Sequence, residues 1–375
     1  MRTLDGRRGP AGLAPLASSA ALALLGLGLA ASVSFAQTPV VTPADDAYHY
    51  QEWAGDHHHL NYIEWWYFNL IDAQQNVRAI FTYFVADPAD LAGIGLSQLT
   101  AVAYTPAGIV SVNDVYPPAA FSAASGEADV QIDANAVAVI DADTYQITGA
   151  TRDGRLSWDL TYVRQAPSWF AADRMVVGSR PWEQMSWLVY MPRANVTGQL
   201  TVNGLAYTVS ASGYHDHNWG EWVFTNALWN WAQLSEPGLS FELGDFIGGP
   251  AGIASVEVGG ARTVFTKDQY RLVHTRWAYD AADLHPYPIE SQFFAENATT
   301  RLQLTMSVTA TDVLRGGYPP PLPQALIYEQ PAQYSGRLWQ KDGTGEWSLT
   351  TLSSSGFKEY TAKTRPQPAS TADAP

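Results

Sequence analysis

Strict alternation of apolar and polar residues is the feature of this chain that most limits its fold. Between Arg155 and Tyr162 every second residue is apolar, which places the side chains at 156, 158, 160 and 162 on one face of an extended strand. Few windows carry a helical period, and Gly, Pro, Asn and Asp separate the strand-like runs. The pattern predicts an all-β protein. Further strand-like runs lie at 77–85, 97–105, 128–140, 144–150, 185–191, 197–212, 228–234, 239–247 and 302–310.

The number of these runs predicts more than one barrel. About twelve to eighteen strands exceed what a single small barrel holds, so two β-barrels or sandwiches in tandem are expected. The stretch Pro192–Asn195, near the middle of the chain, is the best boundary and gives domains at 37–195 and 196–364. A proline-rich stretch at 318–323 is interpreted as a stiff loop, because strand-like sequence resumes after it. Residues 365–375 are interpreted as a disordered tail.

The first 36 residues have the pattern of an export signal. Arg2, Arg7 and Arg8 precede an Ala- and Leu-rich run at 17–35, and small residues occupy the positions that signal peptidase requires before a cut after Ala36. An uncleaved membrane anchor is the alternative, but the richness in Ala and Gly and the small residues favour cleavage. We therefore expect a periplasmic or secreted protein, since no later run is long enough to span a bilayer.

Composition excludes several classes of partner and chemistry. The chain has 21 Lys and Arg against 36 Asp and Glu, a formal net charge of −15, so we expect no nucleic-acid partner and at most peripheral membrane contact. It has no cysteine, which removes thiol nucleophiles, disulfides and thiolate metal sites. Its 14 Trp, 19 Tyr and 13 Phe indicate either an aromatic core or a pocket for an apolar ligand.

The first cluster of residues that could carry chemistry lies at 56–68. In a strand, Glu64 shares a face with Trp66 and Phe68, and desolvation by such neighbours would raise the pKa of its carboxyl group. Three consecutive histidines precede it, and neighbouring residues of a strand point to opposite sides, so they cannot all bind one metal ion. A site that uses the first and third of them stays open beside the simpler interpretation of a polar loop. These histidines are His57, His58 and His59.

The second cluster lies at 213–222, where acid–base groups and aromatic rings alternate between two glycines. In an extended strand, His215, His217 and Trp219 face one way, whereas the side chains at 214, 216 and 218 face the other. An imidazole beside an indole face suits proton transfer near a cation, because the ring quadrupole attracts positive charge. The alternative is a polar loop that closes a barrel.

The third cluster lies at 239–246. The alternation there places Asp245 on the same inward face as Leu239, Phe241 and Leu243. An inward carboxylate costs several kcal/mol if it stays charged and unpaired, so it should be paired, or protonated and able to act as an acid. The alternative is a carboxylate that bonds the backbone near a bulge.

These motifs resemble the carotenoid 1,2-hydratase (hydroxyneurosporene synthase) family, which also includes kievitone hydratase, AttH-like proteins and fungal Diels–Alderases. The resemblance rests on the segments 64–68, 213–220 and 328–336, with the sequences EWWYF, GYHDHNWG and YEQPAQYSG, and it covers about residues 47–362. It implies two consecutive lipocalin-like antiparallel β-barrels with a pocket near their junction, in agreement with the strand count.

The resemblance also implies site residues. The acid–base group of the family's carotenoid hydratases maps onto His217, Trp219 and Asp245, while the tyrosine of its Tyr-x-Asp motif is Leu243 in this chain. We expect no metal ion and no cofactor, since the chain carries no nucleotide-binding or phosphate-binding motif. The predicted substrate contacts are Glu64, Trp66, Tyr67, Tyr214, Asp216, Trp229 and Trp231.

The leading hypothesis is a cofactor-independent hydratase, a hydro-lyase that adds water to an isolated C=C bond of an apolar, isoprenoid-like molecule. Asp245 would protonate the alkene, tryptophans would stabilise the carbocation and His217 would deprotonate the water. One alternative is an isomerase or cyclase that folds a polyene, as in the Diels–Alderase branch. Another is a carrier that binds an apolar ligand without converting it.

Overall fold

Most of the segments in which apolar and polar residues alternate form β-strands. The computed structural model describes residues 40–53, 59–316 and 324–364, and these form 22 strands in two curled antiparallel sheets. This confirms the predicted all-β class. The five short helical segments of the described residues are Pro43–Asp46, Tyr50–Trp53, His59–Asn61, Pro118–Ala120 and Phe224–Asn226.

The first sheet contains twelve strands in the order β4-β3-β2-β1-β12-β11-β9-β8-β7-β6-β5, with β10 paired to β11. Its strands are β1 (Tyr62–Asp72), β2 (Val77–Ala86), β3 (Leu96–Thr105), β4 (Gly108–Tyr116), β5 (Phe121–Ala123), β6 (Val130–Ile132), β7 (Asn135–Asp141), β8 (Thr144–Ala150), β9 (Leu156–Arg164), β10 (Trp169–Val176), β11 (Gln184–Val202) and β12 (Leu205–Glu221).

The second sheet contains ten strands in the order β16-β15-β14-β13-β22-β21-β19-β18-β17, with β20 paired to β21. Its strands are β13 (Trp229–Glu236), β14 (Leu239–Phe246), β15 (Gly252–Val258), β16 (Ala261–Thr266), β17 (Tyr270–Asp280), β18 (His285–Glu296), β19 (Thr300–Val308), β20 (Asp312–Gly316), β21 (Ala325–Lys341) and β22 (Trp347–Lys363).

Each sheet curls around its own apolar interior. In β9 the burial alternates as the sequence does, so that Leu156, Trp158, Leu160 and Tyr162 are buried in the first interior. The second interior is filled mainly by leucine, phenylalanine and alanine side chains, including Phe241, Leu243 and Leu304. The two interiors therefore account for the inward faces of the strands.

A third apolar cluster joins the two sheets. It includes Tyr67 and Trp187 from the first sheet, and Trp231, Phe246 and Phe357 from the second. Because β1 packs on this cluster with one face and on the first interior with the other, ten of its eleven residues are buried. The outward faces of β1, β11 and β12 thus become a second internal surface.

Three sequence predictions concern the ends and the division of the chain. The export signal and the tail at 365–375 lie outside the described residues, as do His57 and His58 of the suggested metal site, so these stay predictions. The connection between the two sheets runs through 222–228, whereas Pro192–Asn195 lies within β11, so the placing of a domain boundary there also stays a prediction. Among the described helices, none is both long and apolar enough to cross a membrane.

Candidate functional site

The junction of the two sheets encloses a cavity with two lobes. The first lobe has a volume of about 530 Å³ and the second about 560 Å³, each including space that opens to solvent. Trp65, Tyr67, Trp229 and Glu359 line both lobes. The first lobe is otherwise lined by Met185, Trp187, Asp216, Asn218, Trp222, Trp231, Gly244 and Phe246. The second is otherwise lined by Thr82, Phe84, Gln98, Thr100, Phe224, Leu314, Arg315, Gly316, Ile327 and Glu329.

Strand alternation decides which residues reach this cavity. Tyr67 of β1 lies opposite Asp216 of β12, and both line the first lobe. Their neighbours Trp66 and His217 form the next opposed pair and face the first interior instead. The structure therefore shows the two faces that were predicted for the 213–222 segment. One face lines the cavity, and the other packs in the first interior.

Asp216 is a buried acid at the wall of the first lobe. Its Oδ2 accepts hydrogen bonds from the Tyr214 hydroxyl at 2.8 Å and from Trp187 Nε1 at 2.9 Å, and its Oδ1 accepts one from Asn218 Nδ2 at 3.2 Å. Burial raises the pKa of Asp216 to about 6, although these hydrogen bonds and the nearby histidines favour the charged form. Asp216 is therefore ionised at neutral pH and can accept a proton.

Glu359 and Glu329 form a second acidic pair on the opposite sheet. They lie directly opposite each other on β22 and β21, and Trp229 Nε1 donates a hydrogen bond of 2.6 Å to Glu359 Oε2. Burial raises the pKa of Glu359 to about 7, and burial together with the charge of Glu359 raises that of Glu329 well above its ordinary value. Two adjacent buried carboxyl groups avoid ionising together, so the pair retains a proton near neutral pH.

His215 and His217 belong to a polar network inside the first sheet. His215 Nε2 lies 2.9 Å from Asp46 Oδ2, and His217 lies between Asp46 Oδ1 at 3.2 Å and Glu64 Oε1 at 2.8 Å. All four side chains have no solvent exposure. Burial opposes the charging of His217, but its contacts with the two carboxylates prevail and raise its pKa.

Trp219 and Trp66 complete this network from the same interior. The Trp66 ring stacks on His217 with a centroid separation of 4.4 Å, and the His49 ring stacks on Trp219 at 3.9 Å. The network thus ties the segment that precedes β1 to the middle of β12.

Asp245 lies in the interior of the second sheet. It accepts hydrogen bonds from Lys267 Nζ, from the Tyr270 hydroxyl at 2.9 Å and from Asn230 Nδ2 at 3.2 Å. The inward face predicted for Asp245 is therefore observed, and the carboxylate is paired there. Its neighbours Gly244 and Phe246 face the other way and line the first lobe.

The structure brings together only part of the predicted site. Tyr67, Asp216, Trp229 and Trp231 line the cavity, and Tyr214 lies behind it in contact with Asp216. Glu64 and Trp66 lie in the first interior with His217 and Trp219, and Asp245 lies in the second interior, so these residues do not share one surface with the cavity group. Their predicted roles stay predictions.

Sequence reasoning missed Glu329 and Glu359. The available signal was an acidic residue among aromatic and apolar neighbours in two strand-like segments, 325–334 and 356–362. Within the described part of the chain, no group of three or more His, Asp or Glu side chains is arranged to hold a metal ion.

No protein-family model and no curated protein matches this chain. Solved structures do match. A candidate AttH protein from Nitrosomonas europaea is 16% identical with a TM-score of 0.66, over 87% of this chain and 99% of that chain. Kievitone hydratase from Nectria haematococca is 14% identical with a TM-score of 0.57, over 86% and 92% of the two chains. CghA, solved with Sch210972, is 14% identical with a TM-score of 0.56, over 80% and 88%. At these identities the likeness is one of fold, and it confirms the two-barrel, lipocalin-like architecture.

Proposed function

We propose that this protein is a hydratase that adds water to a C=C bond of an apolar, isoprenoid-like molecule bound in the junction cavity. The observation that carries the proposal is a pair of opposed, buried carboxyl groups, Glu359 and Glu329, that retains a proton near neutral pH, with Glu359 in the wall of a cavity lined by tryptophans. An acid in such a place protonates an alkene, because aromatic walls exclude water and their ring faces attract the cation that forms. The folds of kievitone hydratase and CghA support an enzyme of related kind.

In the proposed reaction Glu359 delivers its proton to one alkene carbon. The adjacent carbon becomes a cation, which the ring faces of Trp65 and Trp229 stabilise from the wall shared by the two lobes. A water molecule attacks that carbon, and Asp216 takes the proton that the water releases. The product has gained one water, and return of the proton from Asp216 to Glu359 restores the enzyme.

The two acids have the ionisation states that this reaction needs. Asp216 accepts three hydrogen bonds and has a pKa of about 6, whereas burial and the charge of Asp216 raise the pKa of Glu359 to about 7. Two carboxyl groups whose surroundings separate their pKa values divide naturally into a base and an acid. This proposal assigns to Glu359 the part that the sequence hypothesis assigns to Asp245, and to Asp216 the part assigned to His217.

The test is incubation of the purified protein with acyclic isoprenoid alkenes in H₂¹⁸O, followed by mass spectrometry. We expect a product heavier by one labelled water, and a loss of roughly a hundredfold or more in rate for Glu359→Gln, which keeps the shape but cannot donate an acidic proton. Glu346→Gln, at an exposed position, is the matched control and should retain the wild-type rate.

Other outcomes would replace the proposal with a named alternative. An unlabelled isomer of the substrate would indicate a cyclase or isomerase, and binding without conversion would indicate a carrier. Loss of labelled product in Asp245→Asn but not in Glu359→Gln would return the acid role to Asp245.

A further inference from the structure

The two lobes of the junction cavity differ in chemistry. The residues that belong to the first lobe alone are mostly large and apolar, such as Trp187, Trp231 and Phe246. The second lobe adds polar side chains to its wall, among them Thr82, Gln98, Thr100, Arg315 and Glu329. The polar groups special to the first lobe are Asp216 and Asn218, which bond each other, whereas the second lobe offers a larger set of polar side chains to a ligand.

Thr82 is an unused hydrogen-bonding group in the wall of the second lobe. It lies between Tyr67 and Thr100 across three neighbouring strands. The Thr100 hydroxyl is satisfied, since it donates to Asn113 Oδ1 at 3.0 Å and accepts from Gln98 Nε2 at 3.2 Å. The Thr82 side chain makes no hydrogen bond to any residue that the structure describes. Its hydroxyl can donate to or accept from a ligand.

Glu329 offers a second unused group from the opposite sheet. The residue is only 3% exposed, and its Oε2 has no hydrogen-bond partner among the described residues. Burial and the charge of Glu359 raise the pKa of Glu329, and its proton is directed at Glu359, so the unpartnered Oε2 can accept a hydrogen bond from a ligand. An unpaired buried polar group is costly, and a hydroxyl group of the ligand that donates to Oε2 would remove that cost.

The charges around the second lobe favour a neutral ligand group over an anion. Arg315 is already held by Asp283, whose two carboxylate oxygens lie 2.7 and 2.8 Å from its Nη2. Asp216, which is ionised in the wall of the neighbouring lobe, would repel an anionic group. A neutral hydroxyl or carbonyl group can form a hydrogen bond with Thr82 without such repulsion.

We propose that the second lobe binds a hydroxyl or carbonyl group at one end of the substrate, whose apolar part occupies the first lobe and whose C=C bond lies beside Glu359. This inference rests on the proposed function, because it takes the junction cavity as the substrate site. It narrows the substrate class from apolar alkenes in general to alkenes that carry a neutral oxygen function at one end.

The test compares the binding of farnesol and of farnesene, which has a similar hydrocarbon chain without the hydroxyl group, by quenching of tryptophan fluorescence. We expect farnesol to bind at least tenfold more tightly. Thr82→Val should weaken farnesol binding roughly fivefold and leave farnesene binding unchanged, since it removes one hydrogen bond at constant shape. Thr82→Ser should restore the preference, and Thr208→Val, at an exposed position, is the control.

Equal affinity for the two ligands, or binding of neither, would overturn the inference. The measurement is separate from turnover. If farnesol binds more tightly than farnesene but no alkene is hydrated, this inference stands and the proposed function fails. If alkenes are hydrated but the two ligands bind equally, the proposed function stands and this inference fails.

Discussion

Asp216 and Glu359 are carboxyl groups buried to a similar depth, so burial alone would raise their pKa values by similar amounts. The difference comes from their partners. Asp216 is surrounded by Tyr214, Trp187 and Asn218, all of which donate to it, whereas Glu359 receives one hydrogen bond from Trp229 and lies opposite another acid. Hydrogen bonds to a carboxylate favour ionisation, and burial raises the pKa of both groups, to about 6 for Asp216 and to about 7 for Glu359, where the charge of Asp216 adds to the effect of burial.

This difference predicts the pH dependence of turnover. The active form has Asp216 ionised and Glu359 protonated, so kcat/KM should rise as the pH increases through about 6 and fall as it increases through about 7. The result expected is a narrow bell, measured from pH 4 to pH 9 on the purified protein. Because Glu329 and Glu359 titrate together, the upper limb belongs to the pair. A rate that keeps rising above pH 8 would contradict an acid role for Glu359.

At the scale of the element, β12 uses one face for the cavity and the other for the first interior. Replacing His217 by Ala removes the group between Asp46 and Glu64 and leaves two buried carboxylates without it. The free energy of unfolding should fall by roughly 3–5 kcal/mol, measured by denaturant titration. At temperatures where the variant stays folded, its affinity for a cavity ligand should stay near the wild-type value.

Asn218→Ala is the matched control on the same strand, because Asn218 faces the first lobe and donates to Asp216. It should change unfolding little and lower turnover. If His217→Ala instead left stability intact and abolished turnover, the catalytic role predicted for His217 from the sequence would be the better explanation.

The same network predicts how stability depends on pH in the acid range. Burial opposes ionisation of Asp46, but the charge of His215 and the contacts with both histidines prevail and lower its pKa from 3.8 to about 2. A lowered folded-state pKa contributes stability above the unfolded pKa, and that contribution is lost as the pH falls from about 4 to about 2. The difference in unfolding free energy between wild type and Asp46→Asn should therefore shrink across this window. A constant difference from pH 6 to pH 2 would contradict the pairing.

Strands with one solvent-facing side were the elements that sequence could predict. In β9 the outward residues 157, 159 and 161 are polar, so alternation in the sequence shows directly which side chains are inside. In β1 both faces are buried, and Trp65 and Trp66 are equally apolar, so the sequence gives the two faces without showing which one meets the cavity. Glu359 was missed because its significance depends on Glu329, a neighbour that only the pairing of β21 with β22 reveals.

At the scale of the whole molecule, the cavity exists because two separately curled sheets meet without closing the space between them. One glycine keeps part of that space open. A Cβ atom at Gly244 of β14 would lie 2.8 Å from the Trp187 ring of β11, which is closer than side-chain carbons approach each other. The lack of a side chain at Gly244 therefore lets Trp187 hold its place in the first lobe and donate to Asp216.

Gly244→Ala should test this dependence of the site on both sheets. The added methyl group must displace Trp187 or separate the sheets, so the free energy of unfolding should fall by roughly 1–3 kcal/mol. Affinity for a first-lobe ligand such as farnesene should fall at least fivefold, measured by tryptophan fluorescence, because the Trp187 ring then enters the space of the ligand. Gly249→Ala, in the turn that follows β14, is the control, since the nearest atoms to its added Cβ lie 3.9 Å away. If Gly244→Ala bound ligand as wild type does, the sheets would be free to adjust and the junction would not be the binding site.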